Sequence, residues 1–338
     1  MAGLKVRISK CRATLIALTV CALSGMVTVN AQTDAQFSQY YEVPSYYNPS
    51  AIGQTDFIRI RGGMRMQWVG INNAPRDFVA TADMPLKLFG KRFGLGVVFD
   101  SDKAGLYNSL NAGVQVAYNH KLFGGTVTAG LQIGFFDQGF KGSEVYIPDD
   151  DNYHDSNDDG LPTQDIHGTA IDLAFGAWYT HRLFSVGLSA THLTSPTVSM
   201  TAESAGGGSS QTVNEYQFQA RRTVYFTALS NIPVNNTLFE IVPSVLVKSD
   251  FSFTTAEATV RCRYNKFLTF GLGYRWKDAV IATVSAEIKN IFIGYSYDYA
   301  TSAIAKASSG SHEVFAGYKL KLDLSDKNRN RHKNIRIM

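Results

Sequence analysis

Residues 36–86 read QFSQYYEVPSYYNPSAIGQTDFIRIRGGMRMQWVGINNAPRDFVATADMPL. The first part, 36–53, is aromatic and polar, carries Pro44 and Pro49, and ends in a tight Asn48-Pro49-Ser50 turn. The second part reads as two strands, beginning near Thr55 and Pro75 and joined by a loop at 69–74. A soluble enzyme rarely opens this way. An outer-membrane β-barrel often does, with a periplasmic lead-in followed by the first hairpin.

Upstream, Lys5, Arg7, Lys10 and Arg12 form a basic region before the apolar run 13–29, and Val29-Asn30-Ala31 offers a small-residue cleavage site. This is the pattern of a secretory signal peptide at 1–31, leaving Gln32 as the first mature residue. Leu18-Thr19-Val20-Cys21 superficially looks like a lipoprotein site, but Val20 is a poor residue before the cysteine. Cys11 and Cys21 leave with the signal, so Cys262 has no partner for an internal disulfide. The formal charge of +4 also disappears, because the signal holds four bases and no acids. Charge remains polarised: 319–338 holds seven Lys/Arg and two Asp, whereas 142–165 holds eight acids and no Lys or Arg.

Downstream the dominant period is two. Leu110, Ala112, Val114, Val116 and Tyr118 oppose Asn111, Gly113, Gln115, Ala117 and Asn119, and the same split recurs through 126–135, 184–191, 268–276 and 291–299. Alternation argues for strands with one apolar face. The other face is small or polar and includes Arg59, Arg61, Asp172, Glu257, Arg261, Arg275, Glu287 and Asp298. A transmembrane barrel turns its apolar face to lipid and its polar face to the lumen. The spacing predicts about 14 strands, each long enough to cross a bilayer when tilted. They begin near Thr55, Pro75, Arg92, Asn108, Gly125, Thr169, Leu183, Tyr216, Leu238, Phe253, Phe267, Val280, Ile291 and His312. Trp68, Tyr107, Tyr118, Tyr179, Tyr216, Tyr274, Trp276 and Tyr299 fall near strand ends, as an interfacial girdle requires. With both termini periplasmic, the long connections 139–168, 194–215 and 302–311 are all odd-numbered and face outside, while most even ones are short. The expected organisation is an all-β outer-membrane antiparallel barrel at 55–322, between a periplasmic lead-in at 32–54 and a basic periplasmic tail at 323–338.

The order of short motifs resembles the PorP/SprF family of type IX secretion system membrane proteins, found in Bacteroidetes. Gln36-Phe37-Ser38-Gln39-Tyr40, Tyr47-Asn48-Pro49 and Gly53 match its mature start. Arg65-Met66-Gln67-Trp68, Ala74-Pro75-Arg76-Asp77-Phe78 and Ala82-Asp83-Met84-Pro85-Leu86 match the next elements. Gly94-Leu95-Gly96, Asp102-Lys103-Ala104-Gly105, Pro243-Ser244-Val245-Leu246-Val247-Lys248 and Ser311-His312-Glu313 match later landmarks. Ser50, Ile52 and the long basic tail depart from the simplest pattern. The resemblance implies an integral outer-membrane component of type IX secretion or gliding. Its implied partners are membrane lipid, periplasmic secretion components and a large secreted surface adhesin, and no catalytic residues come with it.

Motifs for chemistry are sparse. Asp155, Asn157 and Asp159, followed by Gly160, fit the first half of a calcium loop, but Ile166 stands where the closing Glu belongs. Calcium is therefore the one candidate cofactor, beside the simpler reading of a solvated acidic loop. No Gly-x-Ser-x-Gly is present, and His312-Glu313 lacks the second histidine of a zinc protease helix. An enzyme is not expected, nor is a nucleic-acid partner in this compartment. The candidate docking residues are Tyr47, Asn48 and Pro49 in the lead-in and Arg329, Arg331, Lys333 and Arg336 in the tail. The Tyr47-Asn48-Pro49 turn reads either as an element that plugs the lumen from beneath or as one that meets the secretion machinery, and the sequence does not choose between the two. The alternative function is an outer-membrane channel or ligand-specific transporter.

Overall fold

The computed structural model describes residues 34–145, 162, 164–203 and 213–322. Its strands are β1 (Phe57–Met66), β2 (Arg76–Leu88), β3 (Lys91–Ala104), β4 (Tyr107–Leu122), β5 (Gly125–Lys141), β6 (Asp165–Thr180), β7 (Phe184–Thr191), β8 (Thr197–Glu203), β9 (Val213–Gln219), β10 (Thr223–Ser230), β11 (Ile232–Pro233), β12 (Phe239–Ser249), β13 (Thr254–Tyr264), β14 (Leu268–Arg275), β15 (Ala279–Ile288), β16 (Ile291–Ala300) and β17 (Ser311–Lys321). Each strand of the main sheet pairs antiparallel with its neighbours, β1 pairs with β17, and β10 bridges β7 to β12. The sheet is therefore closed, which leaves no free edge. It contains 15 strands, and removing the two-residue β11, which only extends the turn before β12, leaves a barrel of 14.

The barrel is inside out relative to a soluble protein. Leu131, Ile171 and Leu272 point outward and are 62%, 68% and 69% exposed. Gln115, Glu257 and Asp298 point inward and are 0%, 1% and 2% exposed. The period of two produces this directly, since successive side chains leave opposite faces of a strand. Among the described residues no helix is long and apolar enough to cross a membrane.

The strand count expected from sequence holds, but the eighth strand begins at Thr223, not near Tyr216. Tyr216 lies in β9, which pairs only with β8 in a separate hairpin. That hairpin packs Val198 and Met200 against Phe136, Phe140 and Ile166 at the ends of β5 and β6. Tyr216 joins this cluster and is not part of a membrane girdle. Tyr274, Trp276 and Tyr299 are exposed on the outer face near strand ends, as a girdle requires.

Phe57 pairs with Lys321, so the barrel begins and ends at the same rim, called here the terminal end. The connections 89–90, 123–124, 181–183, 265–267 and 289–290 lie at this end and are short. The longer connections 67–75, 142–164, 192–222 and 301–310 lie at the far end.

Candidate functional site: a plug seated in the barrel

The main apolar core of this protein runs along the barrel axis and is built largely from the residues before β1. Ala35, Phe37, Tyr40, Val43 and Tyr47 cluster with Val79, Tyr225, Leu246, Phe292 and Phe315 of the wall. Residues 34–54 thus form a plug that runs from the far half of the lumen to the terminal end.

Its local fold follows from its residues. A 3-10 turn at Tyr40–Glu42 leads to one helical turn at Pro44–Tyr47, where proline fits the first position because no N–H is needed there. Asn48 then accepts a hydrogen bond from the Ser50 N–H at 2.9 Å and caps the turn Pro49–Ala51. The Phe37 N–H donates to the Tyr47 hydroxyl at 2.9 Å, closing the segment on itself. Phe37 meets Tyr46 and Phe315, and Tyr47 meets Tyr46 and Tyr225, all edge-on with centroids 4.8–5.7 Å apart. Such pairs add roughly 0.5–1.5 kcal/mol each beyond the area they bury.

One wall holds the plug by charge. Ser38 is the hub. Its hydroxyl accepts from Arg65 Nη1 at 2.9 Å and Arg275 Nη2 at 2.7 Å and donates to Asp298 Oδ2 at 2.7 Å. The backbone N–H groups of Ser38 and Gln39 both donate to Glu313, each at 2.8 Å. Arg65 bridges Asp298 and Glu313 at 2.7 and 3.2 Å, and Arg275 bridges Glu257 and Asp298 at 2.8 and 3.2 Å. Gln36 donates to Glu257 at 3.1 Å, and the Tyr40 hydroxyl donates to Ser244 at 2.9 Å. Buried charges are stable only when paired and hydrogen-bonded, and here the plug supplies several of the partners.

The opposite wall holds it by shape. Asn48 Nδ2 donates to the carbonyls of Ala177 and Leu188, both at 3.2 Å, and Ser189 donates to the Tyr47 carbonyl at 2.6 Å. The plug backbone lies against Gly130 and Gly176, which have no side chain in the way. A Cβ on Gly130 would stand 2.5 Å from the Pro49 carbonyl oxygen, and one on Gly176 would overlap the Asn48 amide. Nearer the terminal rim, Gly53 N–H donates to Asp83 at 3.0 Å, Arg59 spans Asp83 and the Ala51 carbonyl at 3.0 Å each, and Arg92 reaches the Gly53 carbonyl at 2.9 Å.

At its far end the plug is pinned through Asp34. His192 lies 3.0 Å from Asp34 on one side and 3.0 Å from Asp172 on the other. Tyr225 donates to the Asp34 carboxylate and Lys248 to its backbone carbonyl. Burial alone would raise the Asp34 pKa, but His192 and Lys248 outweigh it and hold the carboxyl well below its usual range. Burial alone would lower His192, but Asp34 and Asp172 together hold it well above 6.5.

Tyr47, Asn48 and Pro49, candidate docking residues that read equally as a lumen plug, are buried in the lumen. The tail candidates Arg329, Arg331, Lys333 and Arg336, the calcium candidates Asp155, Asn157 and Asp159, and the signal segment 1–31 lie outside the described residues. Among the described residues no cluster of three or more metal-ligating side chains occurs. Sequence reasoning did not anticipate that Arg65, Asp83, Ser244, Lys248 and Glu313 receive the plug. The signal was present, because each lies in one of the later motifs, and those motifs meet only once the barrel closes.

A closed antiparallel barrel with an apolar outer band and a polar, filled lumen defines an outer-membrane β-barrel protein. The chain belongs to the PorP/SprF family: the family described as type IX secretion system membrane protein PorP/SprF matches residues 29–318. It is thus a multi-pass protein of the cell outer membrane. Among curated proteins, none matches the sequence. The fold is similar to that of the Ralstonia pickettii toluene transporter TbuX, with a TM-score of 0.51 at 12% identity, covering 83% of this chain and 94% of that one. A Pseudomonas aeruginosa FadL homologue gives 0.46 at 9% identity, covering 81% and 93%. The translocator domain of the autotransporter NalP from Neisseria meningitidis gives 0.41 at 11%, covering 78% and 88%. At 12% identity the likeness to TbuX is one of fold.

Proposed function

We propose that the protein is a sealed outer-membrane anchor that docks periplasmic components of the type IX machinery and assists export of surface proteins, among them a large adhesin. The observation that carries this reading is the plug. Phe37, Tyr40, Tyr47 and a buried ion network occupy the lumen through which a passive channel would conduct. The short connections at the terminal end support a periplasmic orientation for it, by the loop-length asymmetry of outer-membrane barrels. The last described residues leave the barrel at that end, and the sequence that follows holds Lys327, Arg329, Arg331, Lys333 and Arg336, a charge that suits an acidic periplasmic partner. Crosslinked capture from native membranes, read by mass spectrometry, tests the reading. Periplasmic secretion components are expected with the full chain and are expected to be lost when 327–338 are deleted from an intact barrel. Complexes unchanged by that deletion would eliminate docking through the tail. Steady open channels of the full chain in a planar bilayer would favour the rival reading, a channel or ligand-specific transporter.

A further inference from the structure

The plug does not fill the terminal end evenly. Residues 49–54 lie against β3 to β6, where Gln54 accepts from Thr180 at 2.8 Å. Beneath Tyr41 and Glu42 the other half of the lumen, walled by β10 and β12 to β17, keeps a cavity of about 320 Å³. Four cations line it, Arg261, Arg263, Lys266 and Lys319, against two acids, Glu42 and Glu287. The acids are already engaged. Glu287 pairs with Lys319, and Glu42 lies 3.5 Å from Arg61 and 3.8 Å from Arg261. Arg261 is 4% exposed, its guanidinium lies 3.4 Å over the Tyr41 ring, and its Nε–H has no acceptor. Arg263 is half-exposed and reaches only Glu240, at 3.3 Å, and Lys266 has no acidic partner among the described residues. A buried guanidinium donor without an acceptor, beside the exposed Lys266 and an Arg263 held by one acid alone, leaves donors that an anion could fill.

We propose that this vestibule is a socket for an acidic peptide segment entering from the periplasm, with its carboxylates held by Arg261, Arg263 and Lys266. The inference rests on the docking reading and deepens it by naming the chemistry of the partner. A lipid headgroup fits less well, because the strands separate the vestibule from the bilayer. The chain's own tail, with its five cations at 327–336, has the wrong charge to fill it. Carboxylates on an extended segment match planar guanidinium donors, and the apolar flank of Val242 and Phe292 suits the rest of a peptide.

The test uses the full-length protein in detergent and fluorescein-labelled hexaglutamate as probe, followed by anisotropy. Saturable binding is expected. It should weaken with added salt and fall about tenfold or more in the Arg263→Gln/Lys266→Gln double variant, which leaves the buried Arg261 and the plug untouched. Binding should persist when 327–338 are deleted. Equal affinity in the double variant, or loss of binding on tail deletion alone, would overturn the socket. Inorganic phosphate binding with no hexaglutamate binding would overturn it too. In native-membrane capture the two readings separate. A double variant that captures the same partners as the parent sinks the socket and leaves docking standing, whereas a parent that captures none sinks docking itself.

Discussion

The two walls of the lumen grip the same short plug by different physics. The β13–β17 and β1 wall presents Arg65, Glu257, Arg275, Asp298 and Glu313, and binds Gln36–Gln39 through a buried charge network centred on one serine hydroxyl. The β4–β7 wall presents glycines and backbone carbonyls, and binds 47–51 by close approach. The first grip depends on its buried charges keeping their partners; the second depends on nothing being added. Their joint effect is that the plug is held in one position and register: the charged wall fixes which residues dock, and the glycine wall fixes how deep they sit.

The sharpest way to break the charged grip is Glu313→Ala. It removes the acceptor of two backbone N–H groups and one partner of Arg65, leaving two buried donors unpaired and Arg65 with Asp298 as its one remaining carboxylate. A loss of about 3–5 kcal/mol is expected, visible as a fall in the thermal unfolding midpoint in detergent. Gly130→Val attacks the other wall by filling the space used by Pro49 and Ser50, and should cost about 3 kcal/mol through overpacking. The two variants should differ in kind. Added salt should worsen neither equally: the glycine variant is expected to be nearly insensitive to it, so similar salt responses would blur the distinction between the walls. Asn48→Ala is milder. It removes the hydrogen bonds to the Ala177 and Leu188 carbonyls and the cap on Ser50, for about 2 kcal/mol on the same measurement.

The smallest effect concerns pH at the far end. The raised His192 pKa contributes stability in full below its usual 6.5, and that contribution is lost as pH rises through the folded value. The depressed Asp34 pKa contributes above its usual 3.8 and is lost as pH falls through the folded value. The tether is therefore complete between 3.8 and 6.5 and weakens on the alkaline side, as pH rises through the folded value of His192. Protease protection of the plug across pH should show this fall in the parent and not in His192→Gln. An unchanged alkaline loss in that variant would remove His192 from the account.

Much of the barrel was legible because its code is local. Alternation along single strands is visible without knowing any partner, and the parity of long connections supplied an independent count. The eighth strand was misplaced because Tyr216-Gln217-Phe218 in β9 alternates as well as a barrel strand does. Period reports a half-buried strand, not the sheet it belongs to. The Tyr47-Asn48-Pro49 turn was legible as either a lumen plug or a contact for the secretion machinery, but its sequence could not choose between the two. Ser38 meets residues 27, 237, 260 and 275 positions away, and no local pattern encodes such a meeting. The lumen-facing charges hinted at it, because buried charge in a barrel must be answered either by water or by protein. The terminal vestibule, with its unpaired Arg261 donor, is one of the places where that answer is incomplete.

The central claim is that residues 34–54 close the lumen. Single-channel recording in planar bilayers tests it most directly, comparing the parent protein with a chain lacking 36–53. The account predicts a silent parent and steady current from the deleted chain; steady current from the parent would contradict it.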